Sequence, residues 1–170
     1  TGVGTGAAMG MMFGPLGAAI GAAAGGIIGL GVVGSAVFND FKDKNIPVIG
    51  YDKYKNGGIG KKIEILNCEI VFLCLPTLFD DINMEYDKSA IIEVCNYLSI
   101  NNYKGIVVIK STVEPTTTQL YSNQYKLNMI HNPEFLSASS AYEDFKNQTH
   151  IKIKKTNNIK TEYLDMITTF

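Results

Sequence analysis

The 170-residue chain carries 15 basic and 16 acidic side chains, for a formal net charge of −1, and is 46% hydrophobic. That length suits one domain with a real core, and the charge balance excludes the basic footprint of a nucleic-acid-binding protein. All 15 basic residues are lysine, so any phosphate must be held by backbone N–H groups, hydroxyls or ammonium groups, without a bidentate guanidinium.

Residues 1 to 39 contain no charged side chain, and their glycines recur at near four-residue spacing: Gly6, Gly10, Gly14, Gly17, Gly21, Gly25 and Gly29. On a helix this spacing makes a smooth small-residue stripe, a packing signature of membrane helices, and the run is long enough to span a bilayer. Pro15 interrupts it, and flanking lysines and aromatic anchors are missing. Three readings stand for residues 1–24: an appended or disordered extension, a membrane or self-association helix, and an ordered element of the domain. Membrane contact, if any, is expected only through residues 6–29. The sequence begins at Thr1, which suggests a processed or trimmed piece.

Ile27 to Ala36 contains the Gly-x-Gly-x-x-Gly pattern Gly29-Leu30-Gly31-Val32-Val33-Gly34. In a dinucleotide-binding turn the first glycine closes the strand-to-helix bend and the second admits the pyrophosphate. The third lets the helix sit close to the strand, with its positive N-terminus toward the phosphates. In a chain with 17 glycines, a flexible glycine-rich turn explains the hexapeptide equally well.

Ser35 to Lys44 has helical periodicity, with Val37, Phe38 and Phe41 on one face, and Ile46 to Asp52 is an apolar strand ending in an acid. Asp52 lies 18 residues beyond Gly34, about where a second strand presents a carboxylate to the adenosine ribose. Such a carboxylate accepts from the 2′-hydroxyl and repels a 2′-phosphate, favouring NAD over NADP. Lys53 and Lys55 keep the reverse preference open, and a solvated strand-end aspartate is the plain alternative.

Asn56 to Leu66 reads as a loop or short helix, and Glu69 to Thr77 as a buried strand stopped by Pro76. Asp80-Asp81 is a loop pair without metal-ligand company. Asp87 to Leu98 is an amphipathic helix, with Ile91, Val94, Cys95 and Leu98 on its apolar side. Gly105 to Ile109 is a strand running into Lys110, Ser111 and Thr112, and Pro115 opens a short helix through Tyr125. Leu127 to His131 is the fifth strand, Ile151 to Lys154 the sixth, and Glu162 to Phe170 a further helix. Cys68, Cys74 and Cys95 fall in expected core positions, as buried free thiols of a reducing, cytoplasmic compartment would. His131 and His150 read as packing or hydrogen-bonding residues.

Continuous apolar strands alternating with helices are the pattern of a parallel sheet covered on both faces. The expected fold is α/β: a Rossmann-like doubly wound sheet of about six parallel strands, ordered from about Ile27 and preceded by the Gly/Ala-rich apolar segment. Ligands of such sheets bind at the carboxyl ends of the strands.

The strand ends Gly29 to Gly34, Leu75-Pro76-Thr77, Ser111-Thr112-Val113 and Asn132-Pro133-Glu134-Phe135-Leu136, followed by Glu143-Asp144-Phe145, resemble the UDP-glucose/GDP-mannose dehydrogenase family. The resemblance covers residues 27 to about 155, and implies the NAD-binding N-terminal domain over 25–170, stopping before the central helix and sugar-nucleotide domain. It implies oxidation of a nucleotide sugar, alcohol to acid, with two NAD. UDP-glucose going to UDP-glucuronate comes first, with GDP-mannose or a UDP-N-acetylhexosamine as alternatives and homodimers among full-length relatives. By resemblance, NAD contacts fall to Gly29, Leu30, Gly31, Val32, Val33, Gly34, Asp52, Leu75, Pro76, Thr77, Ser111 and Thr112. Glu134 and Thr112 are the implied catalytic pair, Glu134 working through a water, and Glu134, Phe135 and Leu136 line the sugar nucleotide.

The sequence also departs from the family. Thr116 stands where members often carry glycine, and Ser137-Ala138-Ser139 follow Leu136 where Arg or Glu is frequent. The stretch between Asp52 and Cys68 is short, and Ala22 to Gly26 replaces a β-branched run. No segment matches the family's Gly-Gly-x-Cys-Phe-Pro-Lys block with its nucleophilic cysteine. Binding of NAD without full turnover is therefore expected of this chain alone.

Overall fold

The structure, a computed structural model, describes residues 25–133 together with Glu143 and the short strand Lys154–Lys155. The expectations for residues 1–24, for Glu134-Phe135-Leu136, for His150 and for a helix over 162–170 lie outside the described residues.

Strand β1 (Gly25–Ile28) leads into helix α1 (Val32–Asp43) and strand β2 (Val48–Tyr51). Two 3₁₀ turns, Lys55–Gly57 and Lys62–Asn67, precede β3 (Ile70–Leu73). A hairpin of β4 (Phe79–Asp80) and β5 (Glu85–Tyr86) follows, then α2 (Ser89–Ile100), β6 (Ile106–Ile109), α3 (Thr117–Tyr125), β7 (Asn128–His131) and β8 (Lys154–Lys155). The main sheet runs β2-β1-β3-β6-β7-β8.

Five of its strands are parallel. The sixth is not: β8 pairs antiparallel with β7, Ile130 opposite Lys155 and His131 opposite Lys154. This corrects the expectation of about six parallel strands. Ile151-Lys-Ile-Lys alternates apolar with charged residues, the texture of a sheet edge, and antiparallel edge strands are common on otherwise parallel doubly wound sheets.

Each strand's alternate residues feed opposite cores. Ile27, Ile70, Phe72, Ile106, Val108 and Ile130 pack with Val37 and Phe41 of α1. Ile28, Val71, Leu73, Val107, Ile109 and Met129 pack with Ile91, Val94, Cys95 and Leu98 of α2 and with Tyr121 and Tyr125 of α3. Helices on both faces make the sheet doubly wound, as the apolar strand runs predicted. The weakly apolar start of β1 has a packing reason: a side chain at Gly25 would collide with the ring of Phe41, and one at Gly26 with Cys68.

Helix ends fix where the chain re-enters the sheet. After α1, Asn45 takes a left-handed φ of 56°; its N–H donates to Lys42 O at 3.0 Å and that of Ile46 to Phe41 O at 2.8 Å. Asn102 repeats the arrangement after α2, donating to Ser99 O, with Tyr103 N–H reaching Leu98 O. These are Schellman closures, for which asparagine tolerates the left-handed corner. Two core strands begin within a few residues of them.

The β4–β5 hairpin has no precursor in the sequence reading. Asp80 closes it, its carboxylate accepting from the N–H groups of Ile82 (2.8 Å) and Asn83 (3.2 Å), which leaves Asp80-Asp81 a turn pair. Among the described residues no helix is long and apolar enough to cross a membrane.

Candidate dinucleotide-binding site

The parallel register brings Tyr51, Ile28, Leu73, Ile109 and His131 into one row across the sheet. The hydrogen-bond ladder continues one step further. Gly29 N–H donates to Tyr51 O (2.9 Å), Cys74 N–H to Ile28 O (2.8 Å), Lys110 N–H to Leu73 O (2.9 Å) and Asn132 N–H to Ile109 O (3.0 Å). Residues far apart in the sequence, from Gly29 to Asn132, thus line the carboxyl edge in the order Asp52, Gly29, Cys74, Lys110, Asn132. A cleft of about 1190 Å³ opens along this edge, lined by the glycine turn, Asp52 to Lys55, Cys74 to Pro76, Lys110, Ser111 and Glu143.

Each glycine of the motif meets a different constraint. Gly29 has φ +89°, and a side chain there would run into the Cys74 carbonyl. A side chain at Gly34 would overlap the Gly29 carbonyl oxygen. Around Gly31 nothing lies within 4 Å of where a Cβ would stand. Gly29 and Gly34 are therefore required by the protein's own packing, while Gly31 leaves open space for a ligand to approach the backbone. Helix α1 starts at Val32, not Ser35, with Ser35 N–H already donating to Gly31 O at 3.0 Å. Gly34 thus belongs to the first turn, and the N–H groups of that turn, which have no intrahelical acceptor, end beside the cleft.

Asp52 ties the glycine turn to the segment after β2. Its Oδ2 accepts from Leu30 N–H at 2.7 Å, and its Oδ1 from Tyr54 and Lys55 N–H at 2.9 Å each. Partial burial raises its pKa, but the N–H donors of Lys55, Tyr54 and Leu30 outweigh burial and hold the carboxyl below its ordinary value. Two lone pairs of Oδ1 are engaged and one of Oδ2, so Oδ2 can still accept from a ribose hydroxyl. Three backbone donors give this partly exposed carboxylate a structural role in the turn.

Leu30 contributes through its backbone, since its side chain is buried beside α1. Its carbonyl accepts from Ser35 Oγ at 2.8 Å and from Lys55 Nζ, and Lys55 Nζ also reaches Ser35 Oγ at 3.0 Å. Ser35 and Lys55 were not singled out as turn-holding residues, because only the fold brings them to Leu30. Opposite them, Lys53 and Lys62 approach Glu93 of α2 at 3.5 and 3.4 Å across the same end of the cleft.

At the other end, Ser111 Oγ donates to Leu75 O (2.6 Å) and accepts from Leu75 N–H (3.1 Å). Its hydroxyl therefore shapes the Leu75-Pro76-Thr77 turn, leaving its backbone to face the cleft. His131 Nε2 lies 3.2 Å from Ser111 O, the hydrogen-bonding role expected of it. Thr77 and Thr112 are not among the cleft-lining residues, and Thr112 is exposed just beyond Ser111. Lys110, buried, donates from Nζ to Asn132 Oδ1 at 2.8 Å and lines the cleft, a role that sequence reading missed. Burial pushes the thiols of Cys68 and Cys95 up to about 12, consistent with inert core cysteines.

The model of the NAD-binding domain of UDP-glucose/GDP-mannose dehydrogenases matches residues 59–168. The chain belongs to this family. UDP-glucose 6-dehydrogenases of Rickettsia felis and Rickettsia bellii are 31% and 33% identical over 112 and 110 residues. Each alignment covers 61% of this chain, which spans about a quarter of those relatives: 24% and 25%. Among solved structures, a GDP-mannose dehydrogenase ternary complex from Pseudomonas aeruginosa superposes with a TM-score of 0.69 at 20% identity, covering 86% of this chain and 43% of that one. An imine reductase from Aspergillus terreus reaches 0.62 at 10% identity, covering 88% and 53%. At these identities the superpositions establish the fold. The family match begins after Asp52, so the role of the glycine turn rests on its geometry. That geometry fits NAD: open space at Gly31, a helix N-terminus behind it, and the Asp52 carboxylate beside it.

Proposed function

We propose that this chain is the cofactor-binding part of a dehydrogenase that oxidises UDP-glucose to UDP-glucuronate with two NAD. The observation that carries the reading is the single cleft shared by Asp52, the Gly29–Gly34 turn and Ser111, inside a domain of this family. Bound NAD supplies the hydride acceptor. Asp52 accepts from the adenosine ribose, the first turn of α1 faces the pyrophosphate, and Ser111 holds the Leu75-Pro76 wall. Family resemblance assigns Glu134 the proton transfer through a water, Thr112 a place beside it, and Phe135-Leu136 the sugar-nucleotide contact. GDP-mannose or a UDP-N-acetylhexosamine in place of UDP-glucose is the neighbouring alternative, and the setting is cytoplasmic.

Calorimetric titration of the 170-residue chain with NAD, followed by an assay for NADH with UDP-glucose present, tests the proposal. Saturable NAD binding without steady NADH production is the expected result. Absence of NAD binding would overturn the reading, and steady turnover would overturn the need for a thiol supplied from elsewhere.

A further inference from the structure

Lys53 and Lys55 follow Asp52 in the chain and would be the natural cations for a 2′-phosphate, yet both are directed elsewhere. Lys55 turns its Nζ to the Leu30 carbonyl and to Ser35 Oγ at 3.0 Å. Lys53 reaches from the segment after β2 to α2, where its Nζ lies 3.5 Å from Glu93 Oε2. Lys62 meets the other oxygen of the same carboxylate, Oε1, at 3.4 Å. The backbone N–H groups of Tyr54 and Lys55 already donate to Asp52 Oδ1.

Glu93 is thus one carboxylate shared by two ammonium groups. It lines the same cleft as Asp52, Lys53 and Lys62, and a single lysine side chain spans from the residue next to Asp52 to Glu93. Ring faces help to hold both cations: Lys53 Nζ lies 5.3 Å from the centre of the Tyr54 ring and Lys62 Nζ 4.4 Å from that of Tyr97. Tyr97 follows Glu93 by one helical turn, so α2 offers Lys62 a carboxylate and a ring together. Half-exposed ion pairs of this kind add little to stability. What the arrangement changes is the charge that a ligand meets.

In a chain without arginine, a 2′-phosphate has to be met by ammonium groups, hydroxyls or backbone N–H groups. We propose that Glu93 is a specificity-determining residue that, with Asp52, reserves the site for NAD. It holds Lys53 and Lys62 against α2 and adds a second negative charge at the end of the cleft where NADP carries its extra phosphate. The inference rests on the NAD-binding reading above, and extends its cofactor preference to a helix outside the glycine motif. For a doubly charged phosphate about 8 Å from one carboxylate, in a dielectric of about 80, Coulomb's law gives roughly a fivefold penalty. The pyrophosphate is common to both cofactors, so its share cancels in their ratio.

The test is calorimetric titration of the full chain with NAD and with NADP at low ionic strength, where surface charges are least screened. Wild type is compared with E93Q and with the triple variant K53M/E93Q/K62M. E93Q keeps the shape of a half-exposed side chain and removes its charge, so it should fold as wild type does. It should raise the NADP-to-NAD affinity ratio about fivefold. The triple variant should return the ratio to the wild-type level or below, because the released ammonium groups are what meets the phosphate. An unchanged ratio in E93Q, or a rise that the triple variant keeps, overturns this inference alone while NAD binding stands. Failure of wild type to bind NAD overturns the NAD reading and this inference with it.

Discussion

The backbone N–H of Leu30 donates to Asp52 Oδ2 across 2.7 Å, joining residues 22 positions apart in the chain. The bond makes the acid at the end of β2 part of the glycine turn itself. The residue proposed to read the ribose thus also shapes the turn proposed to hold the phosphates. Asp52→Asn keeps the size and one oxygen but places an amide group against N–H donors. It should lower stability by about 1–3 kcal/mol, the cost of a broken hydrogen-bond set at a charged acceptor, read as a lower urea midpoint.

The three glycines of the motif should separate by assay. Gly34→Ala puts a methyl group into the Gly29 carbonyl, so a loss of about 1–3 kcal/mol or outright misfolding is expected. Gly31→Ala meets nothing within 4 Å and should melt like wild type, yet weaken NAD at least about tenfold by filling the approach to the backbone. Equal damage to stability by both substitutions would contradict the division of roles.

Thr116 adopts φ +79° immediately before α3, a left-handed conformation that penalises a β-branched side chain. Thr116→Gly should therefore stabilise the domain by about 1 kcal/mol, seen as a raised melting temperature. A fall in melting temperature would mean that the hydroxyl or methyl group holds the turn.

Glu114 fastens the hairpin to the loop after β6: its Oε1 accepts from Tyr86 N–H at 2.8 Å and from Lys88 Nζ at 3.0 Å. The Tyr86 N–H bond, foremost, outweighs partial burial and, with Lys88, lowers its pKa from 4.5 to about 2. A carboxylate with a depressed folded pKa stabilises fully above its unfolded value, and that contribution is lost as pH falls through the folded value. Wild type should thus exceed Glu114→Gln in stability above pH 4.5, with the gap closing toward about pH 2. Urea midpoints across that range check the slope; a gap that persists unchanged at pH 2 would assign the effect to packing.

Much of the fold could be read because parallel strands buried on both faces advertise themselves as continuous apolar runs: Ile70-Val71-Phe72-Leu73 and Ile106-Val107-Val108-Ile109 are both fully buried. The glycine turn, Asp52 and Ser111 were legible for a similar reason, since the chain must leave each strand at the same edge. Lys55, Ser35 and Lys110 were not, because their roles exist only once three strand ends stand side by side. The start of α1 was placed late because Gly34 weakens the helical pattern while tertiary packing demands it. The hairpin of β4 and β5 has two-residue strands, too short for any periodicity, and the antiparallel direction of β8 depends on how the chain returns to β7, which no local pattern encodes.

The central claim is that Asp52 and the glycine turn form a site for NAD. A good hydrogen bond from the ribose to a charged acceptor contributes about 1.5–3 kcal/mol, so Asp52→Ala should weaken NAD by roughly ten- to a hundred-fold. NADP should weaken much less, or even gain, because removing the carboxylate relieves repulsion of its 2′-phosphate. Calorimetric titration of wild type and Asp52→Ala with both cofactors is the most direct measurement. The account predicts tight NAD, weak NADP and this asymmetric response; affinities for NAD and NADP that are equal in both proteins would contradict it.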